Sequence, residues 1–279
     1  MSKAEHLPNL AVEDGLDNPP AAAVSDRDRD TIAMVRNALE RRDVLLAFQP
    51  VVQSKENGEV AFYEGLIRVL DEDGRVIPAR DFMDSVETME LGRLLDCLAL
   101  EMGLIALAEA PDLRLAVNMS ARSIGYPRWL KTLNDGLDRD PTVAERLILE
   151  ITESSAMVMP DLVTDFMRDL QARGIAFSLD DFGAGTTALR YLREFYFDIL
   201  KIDGQFIRGI ADNVDNQVLA AAMIAIARHF DMFTVAESVE TAQDAAWLAA
   251  AGIDCMQGYA FGAPSLVPPW REGREKRLA

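Results

Sequence analysis

Alternation of strand and helix predicts an α/β fold closed as a TIM-like (β/α)8 barrel. Eight short apolar runs read as strands, and the last six are separated by segments with helical spacing of apolar residues. That order argues for strands joined by helical crossovers and against a sandwich. The 279 residues suit a single barrel of this kind, which typically takes about 250. Polar residues interrupt seven of the apolar runs, as when strands deliver functional groups to one barrel mouth. An open doubly wound sheet is the alternative, but no G-x-G-x-x-G follows the first strand.

Residues 1–26 mix acids, prolines and alanines without period and read as a disordered tail. Ser25 or Asp26 then caps a helix through Arg41 with Ile32, Val35 and Leu39 on one face. Residues 45–52 and 62–70 read as strands, and the Glu-Asn-Gly between them suggests an antiparallel hairpin. A turn at 71–75 leads to Pro78, which opens a helical region through about Ala108. The remaining strands are expected at 114–120, 146–152, 176–181, 199–203, 233–239 and 255–261. Helices are expected at 159–173, from 187, at 217–230 and at 241–251, the last closed by Gly252. The barrel domain is taken as residues 27–270, followed by a tail at 271–279.

Composition excludes several classes of function. Lys and Arg total 28 against 46 Asp and Glu, a formal net charge of −18. Such a chain lacks the basic surface that binds DNA or RNA backbones. A phosphate ester substrate would need its positive partner from bound cations. Cys97 and Cys255 sit far apart in apolar contexts and read as free thiols of a reducing compartment. The only histidines, His6 and His229, have no metal-ligand spacing, so oxygen ligands and hence Mg²⁺ or Mn²⁺ are favoured over zinc. The first residues lack the apolar core of a signal peptide, and the longest apolar stretch, 219–227, is too short to span a bilayer. The expectation is a cytoplasmic protein without a membrane partner.

The chemistry gathers around residues 177–185, F-S-L-D-D-F-G-A-G, where an apolar run presents Asp180 and Asp181 beside a glycine-rich turn. Adjacent carboxylates repel unless a cation sits beside them. Glu64 and Arg68 lie four apart on one face of a strand, and Asn118 closes another. Glu150 is embedded among Leu and Ile, with Glu153 three residues on. An isolated charge in such a run is costly, so Glu150 should be paired or metal-bound. Lys201 lies inside an apolar run, and Glu237 and Gln257 interrupt the last two strands. Five carboxylates and an Asn in one mouth call for about two divalent cations, the arrangement for in-line attack on a phosphodiester. Lys201 would orient or deprotonate the water, and Arg68 would hold a phosphate oxygen.

These motifs resemble those of the EAL-domain family, bacterial phosphodiesterases of cyclic di-GMP. The signature is similar to Glu64-Gly65-Leu66-Ile67-Arg68, and further matches are Asn118-Met119-Ser120, Glu150 to Glu153, Asp180 to Gly183, Leu200 to Asp203, Ala236 to Glu240 and Gln257 to Tyr259. They follow the family order across roughly residues 30–265. The resemblance implies a barrel whose first strand runs antiparallel to the others, and hydrolysis to linear 5′-pGpG. It implies that Glu64, Asn118, Glu150 and Asp180 bind one metal, and that Asp180, Asp181 and Glu237 serve a second. Lys201 would assist the water, Glu153 would tether the loop after Asp181, and Gln257 would position water or phosphate. Homodimers near that loop and a regulatory protein partner are further implications. Three departures stand out: Gly65 replaces the signature Ala, the 183–188 loop differs, and Ser238 stands where Gly is usual. The alternative is a catalytically silent receptor for the same dinucleotide, although silent members usually lack an acid and here all are present.

Overall fold

A computed structural model describes residues 26–55, 58–185 and 192–271. Ser25, the helix start expected at 187 and most of both expected tails lie outside the described residues. Helix α1 (Asp26–Arg41) leads into β1 (Val44–Gln53) and β2 (Val60–Leu70), which pair antiparallel from Val44 opposite Val69 to Val51 opposite Phe62. The chain continues through β3 (Val76–Pro78), α2 (Met83–Val86), α3 (Glu90–Glu109), β4 (Leu115–Asn118), α4 (Pro127–Arg139), β5 (Leu147–Thr152), α5 (Glu153–Ala156) and α6 (Pro160–Gln171). It ends with β6 (Ala176–Phe182), β7 (Ile199–Ile202), α7 (Gly204–Ile207), α8 (Val214–His229), β8 (Phe233–Ala236), α9 (Ala242–Ala251) and β9 (Cys255–Met256).

Eight of these strands close a barrel in the order β1-β2-β4-β5-β6-β7-β8-β9, with β9 pairing back onto β1. All neighbours are parallel except that β1 runs against both β2 and β9. The antiparallel hairpin and the reversed first strand are therefore present. Strand β3 hangs on β2 outside the closure, so the region from Pro78 is not one continuous helix. A strand and two short turns of helix precede α3 there. Strands β4, β7, β8 and β9 stop short of the ends of their apolar runs, while β6 runs one residue past its own. Pairing stops where each strand meets the mouth and its chain must turn into a loop.

Outward-facing strand residues and the helices form the main core. Trp129 on α4 is fully buried against Phe166, 5.6 Å between ring centres, and Phe166 packs edge-on to Phe177 of β6. Trp270 closes the outside of the first hairpin, edge-on to Phe48 at 5.1 Å and to Tyr63 at 4.9 Å. Arg271 then pairs with Glu109 at 3.0 Å. Gly65 belongs to this packing too: a methyl there would stand 3.0 Å from Leu46 Cδ2, so Leu46 occupies the room a larger residue would take.

The interior is layered by the two-residue period of a strand. Val51, Phe62, Ala116, Ile148, Ile199, Val235 and Cys255 form one apolar cluster with Ala61 and Ala176 against it. Two residues farther toward the mouth, the same strands place Glu64, Asn118, Glu150, Ser178, Lys201, Glu237 and Gln257. On the reversed β1 the same step runs backward, from Val51 to Gln49. An apolar plug thus carries a wholly polar tier, which is where the chemistry lies.

Candidate active site

Lys201 is completely buried, and its Nζ stands 2.8 Å from Glu237, 3.0 Å from Glu150, 3.0 Å from Asp180 and 3.2 Å from Glu64. One ammonium thus faces four carboxylates. The carboxylates outweigh the burial penalty and hold the Lys201 pKa well above the ordinary lysine range. Burial, only partly offset by Lys201, pushes Glu150 and Glu237 well above the usual carboxylate range. Burial also pushes Glu64 up, but Lys201 and the hydrogen bonds from Gln257 and Asn118 outweigh it, and its pKa is lowered. Asp181 is raised to about 6 by burial and the neighbouring Asp180.

Two polar side chains hold Glu64 from either side. Asn118 Nδ2 donates to its Oε1 at 2.8 Å, and Gln257 Nε2 donates to its Oε2 at 2.6 Å. Gln257 Nε2 also reaches Gln49 Oε1 at 3.2 Å, and Gln49 in turn donates to the Gly262 carbonyl. Arg68 makes no ion pair with Glu64 among the described residues; its Nη1 donates to the Ile67 carbonyl. Both line a cavity of about 460 Å³ at the mouth, with Glu237, Gln257 and Tyr259.

A local break in β6 brings two successive acids to one mouth. Neighbouring residues on a regular strand face opposite ways. Between Leu179, opposite Leu200, and Phe182, opposite Ile202, β6 carries one residue more than β7, and Asp181 takes a left-handed φ of 56°. This bulge turns the chain at Asp181 and returns Phe182 to the outer core. The next residue, Gly183, has φ 95°, and a Cβ there would strike Phe206 at 2.7 Å. Its N–H donates to Glu153 Oε2 at 3.0 Å, so Glu153 fixes the start of the loop.

Carboxylate oxygens of Glu64, Glu150 and Asp180 lie within 4.8 Å of one another, as do those of Asp180, Asp181 and Glu237. The two groups share Asp180. Glu150 Oε1 is buried with no hydrogen-bond partner among the described residues. An orphaned buried carboxyl oxygen beside an excess of acids fits a hard divalent cation.

All ten residues singled out from the sequence stand at or beside this mouth. Sequence reasoning passed over three others. Gln49 and Ser178 belong to the polar tier and show up once the two-residue period is anchored on Val51 and Ala176. Asp96 on α3 is buried, and its Oδ2 accepts from Ser120 N at 3.0 Å and Ser123 Oγ at 2.6 Å, pinning the turn that follows Asn118. A helix acid gives no pattern in the sequence that marks it as buried.

Asp96 also makes a prediction. Burial raises its carboxyl to about 6 from 3.8. Between those pH values the unfolded chain gives up the proton while the folded chain keeps it, so stability falls as pH rises through that window. One oxygen accepts both bonds, so Asp96→Asn can keep them. The expected result in urea unfolding is that Asp96→Asn loses a decline of roughly 3 kcal/mol between about pH 4 and 6. An unaltered pH profile would sink this reading.

The EAL domain family model matches residues 32–264. The bifunctional diguanylate cyclase/cyclic di-GMP phosphodiesterase MucR of Pseudomonas aeruginosa is 32% identical over 235 residues, covering 82% of this chain and 34% of its own. The cyclic di-GMP phosphodiesterase PdeF of Escherichia coli K12 is 32% identical over 243 residues, covering 85% of this chain and 32% of its own. This chain therefore spans about a third of the length of these relatives. Among solved structures, a MucR phosphodiesterase in complex with c-di-GMP is 30% identical with a TM-score of 0.74, covering 90% of this chain and 100% of that one. The FimX EAL domain from Pseudomonas aeruginosa bound to c-di-GMP is 26% identical with a TM-score of 0.77, covering 85% and 97%.

Proposed function

Because the chain belongs to the EAL family, we propose that it hydrolyses cyclic di-GMP to linear 5′-pGpG with two divalent cations, Mg²⁺ or Mn²⁺. The observation that carries this reading is the pair of carboxylate groups sharing Asp180 beneath a cavity lined by Arg68. Glu64, Asn118, Glu150 and Asp180 would hold one cation, and Asp180, Asp181 and Glu237 the other. When bound, the cations lower the pKa of the attacking water and neutralise charge on the phosphoryl oxygens. The chain's own residues orient and balance charge. Arg68 donates to a non-bridging oxygen of the reacting phosphate. Gln257 holds Glu64 in place and positions water or phosphate. Lys201 keeps the carboxylates from repelling one another and helps direct the water. Glu153 holds Gly183 and so the loop that carries Asp181.

A receptor without turnover has the same ligand, but every acid that the family resemblance assigns to the reaction is present in this sequence, which favours hydrolysis. The test is incubation of cyclic di-GMP with Mg²⁺ or Mn²⁺ and with chelator, products resolved by chromatography. Metal-dependent pGpG is expected, lost in Glu64→Ala by at least about 10³-fold. Binding without product would replace the hydrolase reading with the receptor reading.

No helix among the described residues is long and apolar enough to cross a membrane, in keeping with a cytoplasmic setting. Self-association beside the loop after Asp181 is supported by α8, whose Met223 touches the space over Gly183 and whose Val214 and Val218 are 69% and 65% exposed. A monomer in sedimentation at micromolar concentration would overturn it. A regulatory protein partner is proposed on the family resemblance alone, and no surface feature is assigned to it.

A further inference from the structure

Ser238 and Gly204 form a pair that the reaction chemistry above does not use. Ser238 follows Glu237 in a left-handed conformation, φ 54°, that disfavours residues with a Cβ. A Cβ on Gly204 would lie 2.4 Å from Ser238 Oγ and 3.1 Å from Arg208 Nη2. The serine side chain therefore fills room that a larger residue at 204 would need. From there its Oγ accepts from Arg208 Nη2 at 3.0 Å, while Glu240 Oε1 stands 3.8 Å from Arg208 Nε. One turn thus fixes a guanidinium from two sides. The contact to Glu240 is too long for a hydrogen bond, so most of the donors of Arg208 stay uncommitted.

Arg208, Ser238 and Glu240 line the same cavity as Arg68, Arg80 and Glu237. In a chain of net charge −18, three arginines, Arg68, Arg80 and Arg208, balance Glu64, Glu237 and Glu240 around this one cavity. The acidic floor accounts for one phosphate, held through cations and Arg68. A cyclic dinucleotide carries a second phosphate, and Arg208 lines the same cavity with donors to spare. We propose that Arg208, aimed by Ser238, is a substrate-contact residue that holds this second, non-reacting phosphate. The proposal rests on the hydrolase reading above. Ser238 acts through Arg208 and is a positioning residue.

The test compares two phosphodiesters with Mn²⁺: cyclic di-GMP, and bis(p-nitrophenyl) phosphate, which has a single phosphate and no remote charge. Arg208→Ala is expected to raise KM for cyclic di-GMP about tenfold or more, with kcat within about twofold. The ratio of kcat/KM for the two substrates should fall by about the same factor, and Arg208→Lys should recover part of it. Ser238→Gly should raise KM by a smaller factor, and adding it to Arg208→Ala should change little, since the serine acts through the arginine. If wild-type protein binds without turnover, the same comparison is read from Kd. An unchanged KM, or parallel losses on both substrates, would overturn the proposal while wild-type pGpG leaves the hydrolase reading intact. Wild-type protein that cleaves the simple diester but neither binds nor cleaves cyclic di-GMP would overturn both.

Discussion

Lys201→Met is expected to destabilise the metal-free protein by about 3–5 kcal/mol and to abolish hydrolysis. The side chains are similar in bulk, so the change removes charge more than packing. It leaves Glu64, Glu150, Asp180 and Glu237 facing one another with no cation among them. Glu150 and Glu237, already held well above the ordinary carboxylate range by burial, take up protons most readily. Protonation relieves the repulsion, so the penalty should be smaller in mild acid and grow as pH rises toward 8. The measurement is urea unfolding in chelator at several pH values. Excess Mg²⁺ or Mn²⁺ should restore part of the lost stability, because a divalent ion takes over the charge balance. Wild-type stability at pH 8 in chelator would contradict the role given to Lys201.

The second large effect is that of the cations on wild-type protein. A ligand that binds only the folded state at about 100 times its Kd adds about 2.7 kcal/mol. For a domain of this size that corresponds to a rise in Tm of about 5–10 °C. Thermal unfolding with Mn²⁺ and with chelator should show it, and Ca²⁺ or Mg²⁺ titrations rank the preference. Glu64→Ala should abolish most of the rise together with hydrolysis. It removes a ligand of one group and the acceptor shared by Asn118, Gln257 and Lys201. A Tm indifferent to divalent ions would mean the carboxylates are balanced by protons and Lys201 alone.

The barrel was legible because its strands are short apolar runs spaced by helices, and the site was legible because each run is broken by one residue that an apolar face would exclude. Lys201 between Leu200 and Ile202 is the clearest such break. The two-residue period then carries the argument further than motif matching, since it places Gln49 and Ser178 as well. What stayed hidden depends on the third dimension. Strand β3 is three residues that pair only because β2 runs past the barrel mouth. The Asp181 bulge is invisible because nothing in Asp-Asp-Phe-Gly states which acid breaks the alternation. Asp96 lies on a helix whose apolar spacing gives no reason to count it as inside. The left-handed Ser238 explains in physical terms why the resembling family prefers Gly there. It also shows what this chain gains from departing: a hydroxyl within reach of Arg208.

The proposed hydrolysis turns on water attacking a phosphodiester above the shared carboxylate Asp180. Hydrolysis of cyclic di-GMP in ¹⁸O-labelled water tests it most directly. Attack by water breaks the bond from phosphorus to the ribose 3′ oxygen and leaves the new oxygen on the terminal 5′-phosphate. The predicted result is metal-dependent pGpG carrying one labelled oxygen on that phosphate. Unlabelled product, or a 2′,3′-cyclic phosphate formed by attack of the ribose hydroxyl, would contradict it.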